Sequence, residues 1–346
     1  MTPADAILPA TRRYLRAHPA AALGVGLTSQ GAHQVQMLQG RGAPPAPDAI
    51  YALGALTQVF TGSLLALMVD QGQVELHTPL SELIPQPLFP DMIAGRITLE
   101  QLATHTSGMP RHPPNLSSTD QNLADPYAHY SAARFGEFLR GYHPRHPPPS
   151  AFTESLLGQG VLGHALSRRL RLNYGHAVRD LLCTPLGLGD TTFRPSETQQ
   201  PRVRPGHTGR GEPVPPWTFP ALPGAGALSS TVPDLLRFLD AHLGRGAANL
   251  GRALRLTQVP RVQRRGEALG LAWRVTQLKG RTLLWRASVM GGFSGFLGFS
   301  PEADTGVVLL SDHAGSRLDT LLGRPPLKAP GFALLLAAAS RPERPT

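Results

Sequence analysis

Gly54-Ala55-Leu56-Thr57-Gln58-Val59-Phe60-Thr61-Gly62 is followed by Leu65-Ala66-Leu67-Met68-Val69-Asp70-Gln71-Gly72. Leu56, Val59, Phe60, Leu64, Leu67 and Met68 recur near helical spacing, which predicts a long amphipathic helix from Leu56 to Gln71. Gly72 is placed to stop it, because glycine adopts the left-handed backbone of a helix end without steric cost. Upstream, Ala21 to Thr28 and Gln34 to Gln39 read as strands joined by the polar turn Ser29-Gln30-Gly31. The Pro-rich stretch Ala43 to Asp48 connects them to the helix.

Downstream, Thr98-Leu99-Glu100-Gln101 has the form of a capping box and opens a short helix. Residues 110 to 150, rich in Pro, His and Asn, read as a long loop broken by a helix near Ala132 to Arg140. His143 and His146 stand there as H-x-x-H, but the intervening prolines argue against a helix that aims both rings at one metal ion. Thr231-Val232-Pro233-Asp234 caps a helix that runs to Leu243 and stops at Gly244. The period then shortens to that of strands over Leu269 to Gln277, Thr282 to Arg286, Ser294 to Phe299 and Val307 to Ser311. A last helical segment, Phe332 to Ala339, follows. Strands, then helices, then strands predict an α/β (α+β) fold in which the first and last segments share one antiparallel sheet. We expect a single module over 1–346. Its α/β lobe comes from about 1–55 and 225–346, and a helical lobe from about 56–224.

The composition narrows the function. The chain has 346 residues, 41% of them apolar, enough for a sizeable core. With Cys183 as the only cysteine, no disulfide forms within one chain, and a buried thiol is the expectation. The formal charge of +10 is almost all arginine; Lys279 and Lys328 are the only lysines. Arg168-Arg169-Leu170-Arg171 and Arg261-Val262-Gln263-Arg264-Arg265 carry no interleaved aromatic residues, so a solvated basic surface is favoured over nucleic-acid binding. Asp5 falls where a signal peptide needs basic then apolar residues, and no apolar run is long enough to span a bilayer. The expectation is a cytoplasmic protein without a membrane span.

Four stretches together resemble the serine β-lactamase and penicillin-binding-protein family, in particular class C β-lactamases, D-alanyl-D-alanine peptidases and related esterases. The opening Gly54–Gly72 stretch is similar to the family's G-S-x-T-K-x-F-T and the apolar helix behind it. Leu102-Ala103-Thr104-His105-Thr106-Ser107-Gly108-Met109-Pro110 looks like L-x-x-H-T-S-G-L-P. Pro185-Leu186-Gly187-Leu188-Gly189-Asp190-Thr191 looks like P-L-G-M-x-D-T. Gly224 to Thr231, with Asp234-Leu235, looks like G-G-L-x-S-T-x-x-D-L. Gly270-Leu271-Ala272-Trp273, Gly291-Gly292-Phe293 and Gly298 to Glu302 match in the same order. The resemblance implies the β-lactamase/transpeptidase-like fold, an antiparallel sheet flanked by helices plus a helical lobe.

It also implies a site, and here the chain departs from the family. The family acylates a serine assisted by a lysine one helical turn later, and i,i+3 spacing puts both on one face. This chain has Ala55 and Gln58 there, and Ser-x-x-Lys occurs nowhere. A methyl group cannot attack a carbonyl, and an amide is no general base. The family's Tyr-x-Asn aligns with Glu154 and Leu156; a two-residue shift brings Phe152 and Glu154 instead. The Lys-Thr-Gly or His-x-Gly strand aligns with Arg286-Ala287-Ser288, which keeps positive charge and loses the glycine. His207-Thr208-Gly209, His242-Leu243-Gly244 and His313-Ala314-Gly315 fit His-x-Gly by text, yet none leads into that strand. The expectation is a pseudoenzyme with no cofactor or metal. Its vestigial cleft, Ala55, Gln58, Glu154, Leu156, Arg286 and Ser288, would take an unknown small molecule or protein. An active hydrolase with a rewired site, for which His105-Thr106-Ser107 is the most tempting candidate while Ser63 lies about 12 Å along the helix from Ala55, and a basic nucleic-acid binder stand as alternatives.

Overall fold

The computed structural model describes residues 4–116, 124–149, 151–246, 249–264, 266–316 and 324–339. Eight strands form one antiparallel sheet: β1 (Ala22–Ser29), β2 (Ala32–Gln39), β3 (Val262–Arg264), β4 (Glu267–Leu269), β5 (Arg274–Leu278), β6 (Arg281–Met290), β7 (Phe293–Ser300) and β8 (Thr305–Ser311). Their spatial order is β2-β1-β8-β7-β6-β5-β4-β3. The start of the chain therefore pairs with its end, with Leu23 opposite Ser311 and Leu27 opposite Val307.

The two faces of β1 show why this order is stable. Leu23, Val25 and Leu27 alternate onto one face and pack with Ile7 and Tyr14 of helix α1 (Ile7–Ala17). Leu334 and Leu335 of the C-terminal helix belong to the same apolar cluster. Gly24 and Gly26 point the other way. A Cβ on either would come within 2.7 Å or 2.6 Å of Val232, so glycine lets the helix Val232–His242 lie against the strand.

Helix α2 (Thr57–Asp70) is not amphipathic as expected; it is buried on every side from Thr57 to Met68. Its polar side chains find hydrogen-bond partners, as such burial requires. Ser63 donates to the Val59 carbonyl at 2.8 Å, and Thr61 donates to the Gly224 carbonyl at 2.9 Å.

Helix α3 (Leu156–Leu170) and helix α1 carry no expectation from the sequence. At Gly160 the missing side chain admits Leu222, which a Cβ would meet at 2.5 Å. The expected strand Leu269 to Gln277 is two strands, β4 and β5. Between them Ala272 takes a positive φ of 67° and Gly270 donates to the Trp273 carbonyl, which turns the chain out of the ladder.

The caps read from sequence are in place. Thr98 and Gln101 form a reciprocal capping box, and Thr231 accepts from the Asp234 amide at 3.3 Å. Among the described residues no helix is long and apolar enough to cross a membrane.

Candidate active site

Ala55 lies in a single 3-10 turn, Gly54–Leu56, that leads into α2. Gly54 enters it with φ of 51°, and a Cβ there would sit 2.7 Å from the Ser288 hydroxyl. The Ala55 amide points at that same hydroxyl and donates to it at 3.0 Å. One turn on, Gln58 is fully buried. Its amide nitrogen donates to the Ala225 carbonyl at 3.3 Å, and its amide oxygen accepts from the Arg286 guanidinium.

Arg286 sits in β6 on the opposite face from Trp285 and Ala287. Its side chain is 1% exposed and donates to Glu154 at 2.7 Å. Glu154 also accepts from Arg274 at 3.2 Å, and Arg274 reaches Glu267 at 2.5 Å. Burial alone would raise the Glu154 carboxyl, but the Arg286 guanidinium first, and Arg274 with it, outweighs it and holds it down to about 2. Burial pushes Arg286 down as well, against the pull of Glu154. The guanidinium Nε and Nη1 are buried without an acceptor.

All six residues singled out from sequence thus converge, though they come from three distant segments. Ala55, Glu154, Leu156 and Ser288 line a cavity of about 150 Å³, with Gln58 and Arg286 packed behind it. Beyond Trp285 the outer edge of β6 has no strand partner, and Ala287 to Met290 line this cavity. Sequence reasoning missed Arg111, Arg274 and Lys328, which line it too. Arg274, directly after the Gly270–Trp273 motif, was the findable one.

Neither serine offered for a rewired site is hydrogen-bonded to a base among the described residues. Ser63 is fully buried and bonded to its own helix. Ser107 is 1% exposed and takes only a long contact, 3.4 Å, from the Met109 amide. His105 accepts from the Ser155 amide at Nδ1, 3.1 Å, which places its proton on Nε2. Burial first, and then Arg286, pushes its pKa down to about 3, so the ring is neutral. It docks the start of α3, and no hydrogen bond joins it to a serine hydroxyl among the described contacts.

The remaining motifs resolve as scaffold. His143 contacts Asp91 at 2.6 Å, and no group of metal-ligating side chains occurs among the described residues. His242 is buried beside Trp273 and Phe238, and Cys183 is a buried thiol.

This architecture is the class C β-lactamase fold. A solved class C β-lactamase from Rhodobacter sphaeroides superposes with a TM-score of 0.80 at 22% identity, covering 96% of this chain and 99% of that one. A D-alanine carboxypeptidase from Burkholderia cenocepacia gives 0.81 at 18% identity, over 97% and 99%. A family model described as Beta-lactamase matches residues 12–324, and the chain belongs to that family. Among curated relatives, the D-alanyl-D-alanine-carboxypeptidase/endopeptidase AmpH of Escherichia coli K12 is 25% identical, over 84% of this chain and 81% of that protein. Penicillin-binding protein 4 of Amycolatopsis lactamdurans is 28% identical over 61% of this chain, and the match spans about half, 55%, of that relative.

Proposed function

We propose that this chain is a non-acylating member of its family, a pseudoenzyme that binds a ligand or partner through the old cleft and acts in the cytoplasm. The observation that carries this reading is the network at the cleft floor. Arg286 bridges Gln58 and Glu154, and Ser288 occupies the Ala55 amide. Acyl transfer needs a nucleophile, a base that takes its proton and free N–H donors for the oxyanion. Here the first two positions hold a methyl group and a neutral amide, and a donor that would serve the third is already bonded. The intact caps, glycine contacts and packed core support selection for a folded protein. The test is intact-mass analysis after incubation with a fluorescent penicillin and with an activated ester. The expected result is an unmodified mass; a stoichiometric adduct overturns the reading.

A further inference from the structure

We propose that the cleft holds a phosphate group, with Arg111, Arg274 and Lys328 as its ligands. The inference rests on the binding-protein reading above and names its ligand class. The first observation is charge. Around the cavity stand Arg111, Arg274, Lys328 and, behind them, Arg286, while the nearby carboxylates are Glu154 and Glu267. Those carboxylates are already shared: Glu154 between Arg286 and Arg274, Glu267 between Arg274 and Arg264. Neither Arg111 nor Lys328 forms an ion pair among the described residues. Cation excess beside a low-dielectric wall attracts an anion, and a dianion more than a monoanion.

The second observation is preorganisation. Lys328 Nζ lies 4.4 Å from the centre of the Trp285 ring, and the Arg274 guanidinium carbon lies 5.4 Å from the same centre. One indole thus steadies two cations that line one cavity, as cation–π contacts do. Glu154 and Glu267 fix Arg274 further, so its planar fork is held in place. Arg286 Nε and Nη1 leave buried donors in the same cluster without an acceptor.

The third observation is size. At about 150 Å³ the cavity is well below the ~300–1,000 Å³ of drug-sized pockets, and matches a single tetrahedral anion. The open edge of β6 leaves a way out for the rest of a phosphorylated molecule.

The test is calorimetric titration of inorganic phosphate, phenyl phosphate and acetate into the full chain at neutral pH. Saturable binding of phosphate at one site per chain is expected, with acetate at least about tenfold weaker. Phenyl phosphate binding at least as well as inorganic phosphate assigns the site to a phosphomonoester; its exclusion assigns it to the free ion. Arg111→Gln and Lys328→Gln, which break no ion pair, should each weaken phosphate about tenfold or more. Lys279→Gln, on the turn between β5 and β6, should leave it unchanged. No saturable signal up to roughly 10 mM overturns the proposal. So does acetate binding as tightly as phosphate, or an equal effect of all three variants. Acylation by penicillin would defeat the pseudoenzyme reading and leave the isotherm standing; a flat isotherm without acylation defeats the phosphate assignment alone.

Discussion

The hydroxyl of Ser288 accepts the backbone N–H of Ala55 at 3.0 Å, tying the turn before α2 to the C-terminal end of β6. Both groups are buried, so the bond joins two segments that the sheet and the helices would otherwise merely press together. Ser288→Ala leaves a buried amide without its acceptor and should cost about 1–3 kcal/mol in urea denaturation. An unchanged midpoint would mean that water replaces the hydroxyl without loss.

The Glu154–Arg286 pair is lopsided: the guanidinium is 1% exposed and the carboxylate 30%. Glu154→Gln strands a buried cation and should cost about 3–5 kcal/mol. Arg286→Met leaves a carboxylate that water and Arg274 still serve, and should cost about 1–2 kcal/mol. In the double variant the costs should fall short of their sum by at least about 1 kcal/mol. Strict additivity would show the two residues to be uncoupled.

Restoring Ala55→Ser and Gln58→Lys together should give no measurable turnover of a chromogenic cephalosporin. A lysine at position 58 would meet the Arg286 guanidinium, which now bonds the Gln58 amide. Groups that act as a unit do not recover their effect piecemeal. Robust turnover from the double variant would show that Arg286 moves aside readily.

Acidification should destabilise the fold in two overlapping windows. His105 is held neutral, its pKa depressed from 6.5 to about 3, so the unfolded state takes up the proton first and stability falls as pH drops from about 6.5 toward 3. Glu154, depressed from 4.5 to about 2, contributes stability that is present above its unfolded value and lost as pH falls through its folded one. Denaturation midpoints of the parent and of His105→Gln between pH 7 and 4 test the first window. The variant's slope against pH should be shallower, whatever its stability at pH 7; equal slopes would remove His105 from the account.

Much of this was legible in the chain because the signals were local. Thr98 with Gln101, and Thr231 ahead of Asp234, announce helix starts within four residues. Short apolar runs bounded by turn residues announce β7 and β8. The six cleft positions could be read because motif order carries spatial information. Three things could not be read. Helix α3 hides behind glycines whose purpose is contact with Leu222 and Gly224. The burial of α2 on all sides depends on neighbours from remote segments, so its pattern looked one-sided. Arg111, Arg274 and Lys328 meet only after the sheet has brought the loop, β5 and the C-terminal helix together.

The pairing of β1 with β8 has a consequence for how the molecule is made. On one edge β1 pairs with β2, close in sequence, and on the other with a strand that ends at Ser311. During synthesis the N-terminal hairpin must wait, with Leu23, Val25 and Leu27 uncovered, until most of the chain has emerged. Contacts of such long sequence separation close slowly, and an unpaired apolar strand invites association with other chains in the interval. A chain cut before Thr305 would keep that hairpin and lack the strand that protects it. Such a product should accumulate as aggregate rather than as a smaller folded protein.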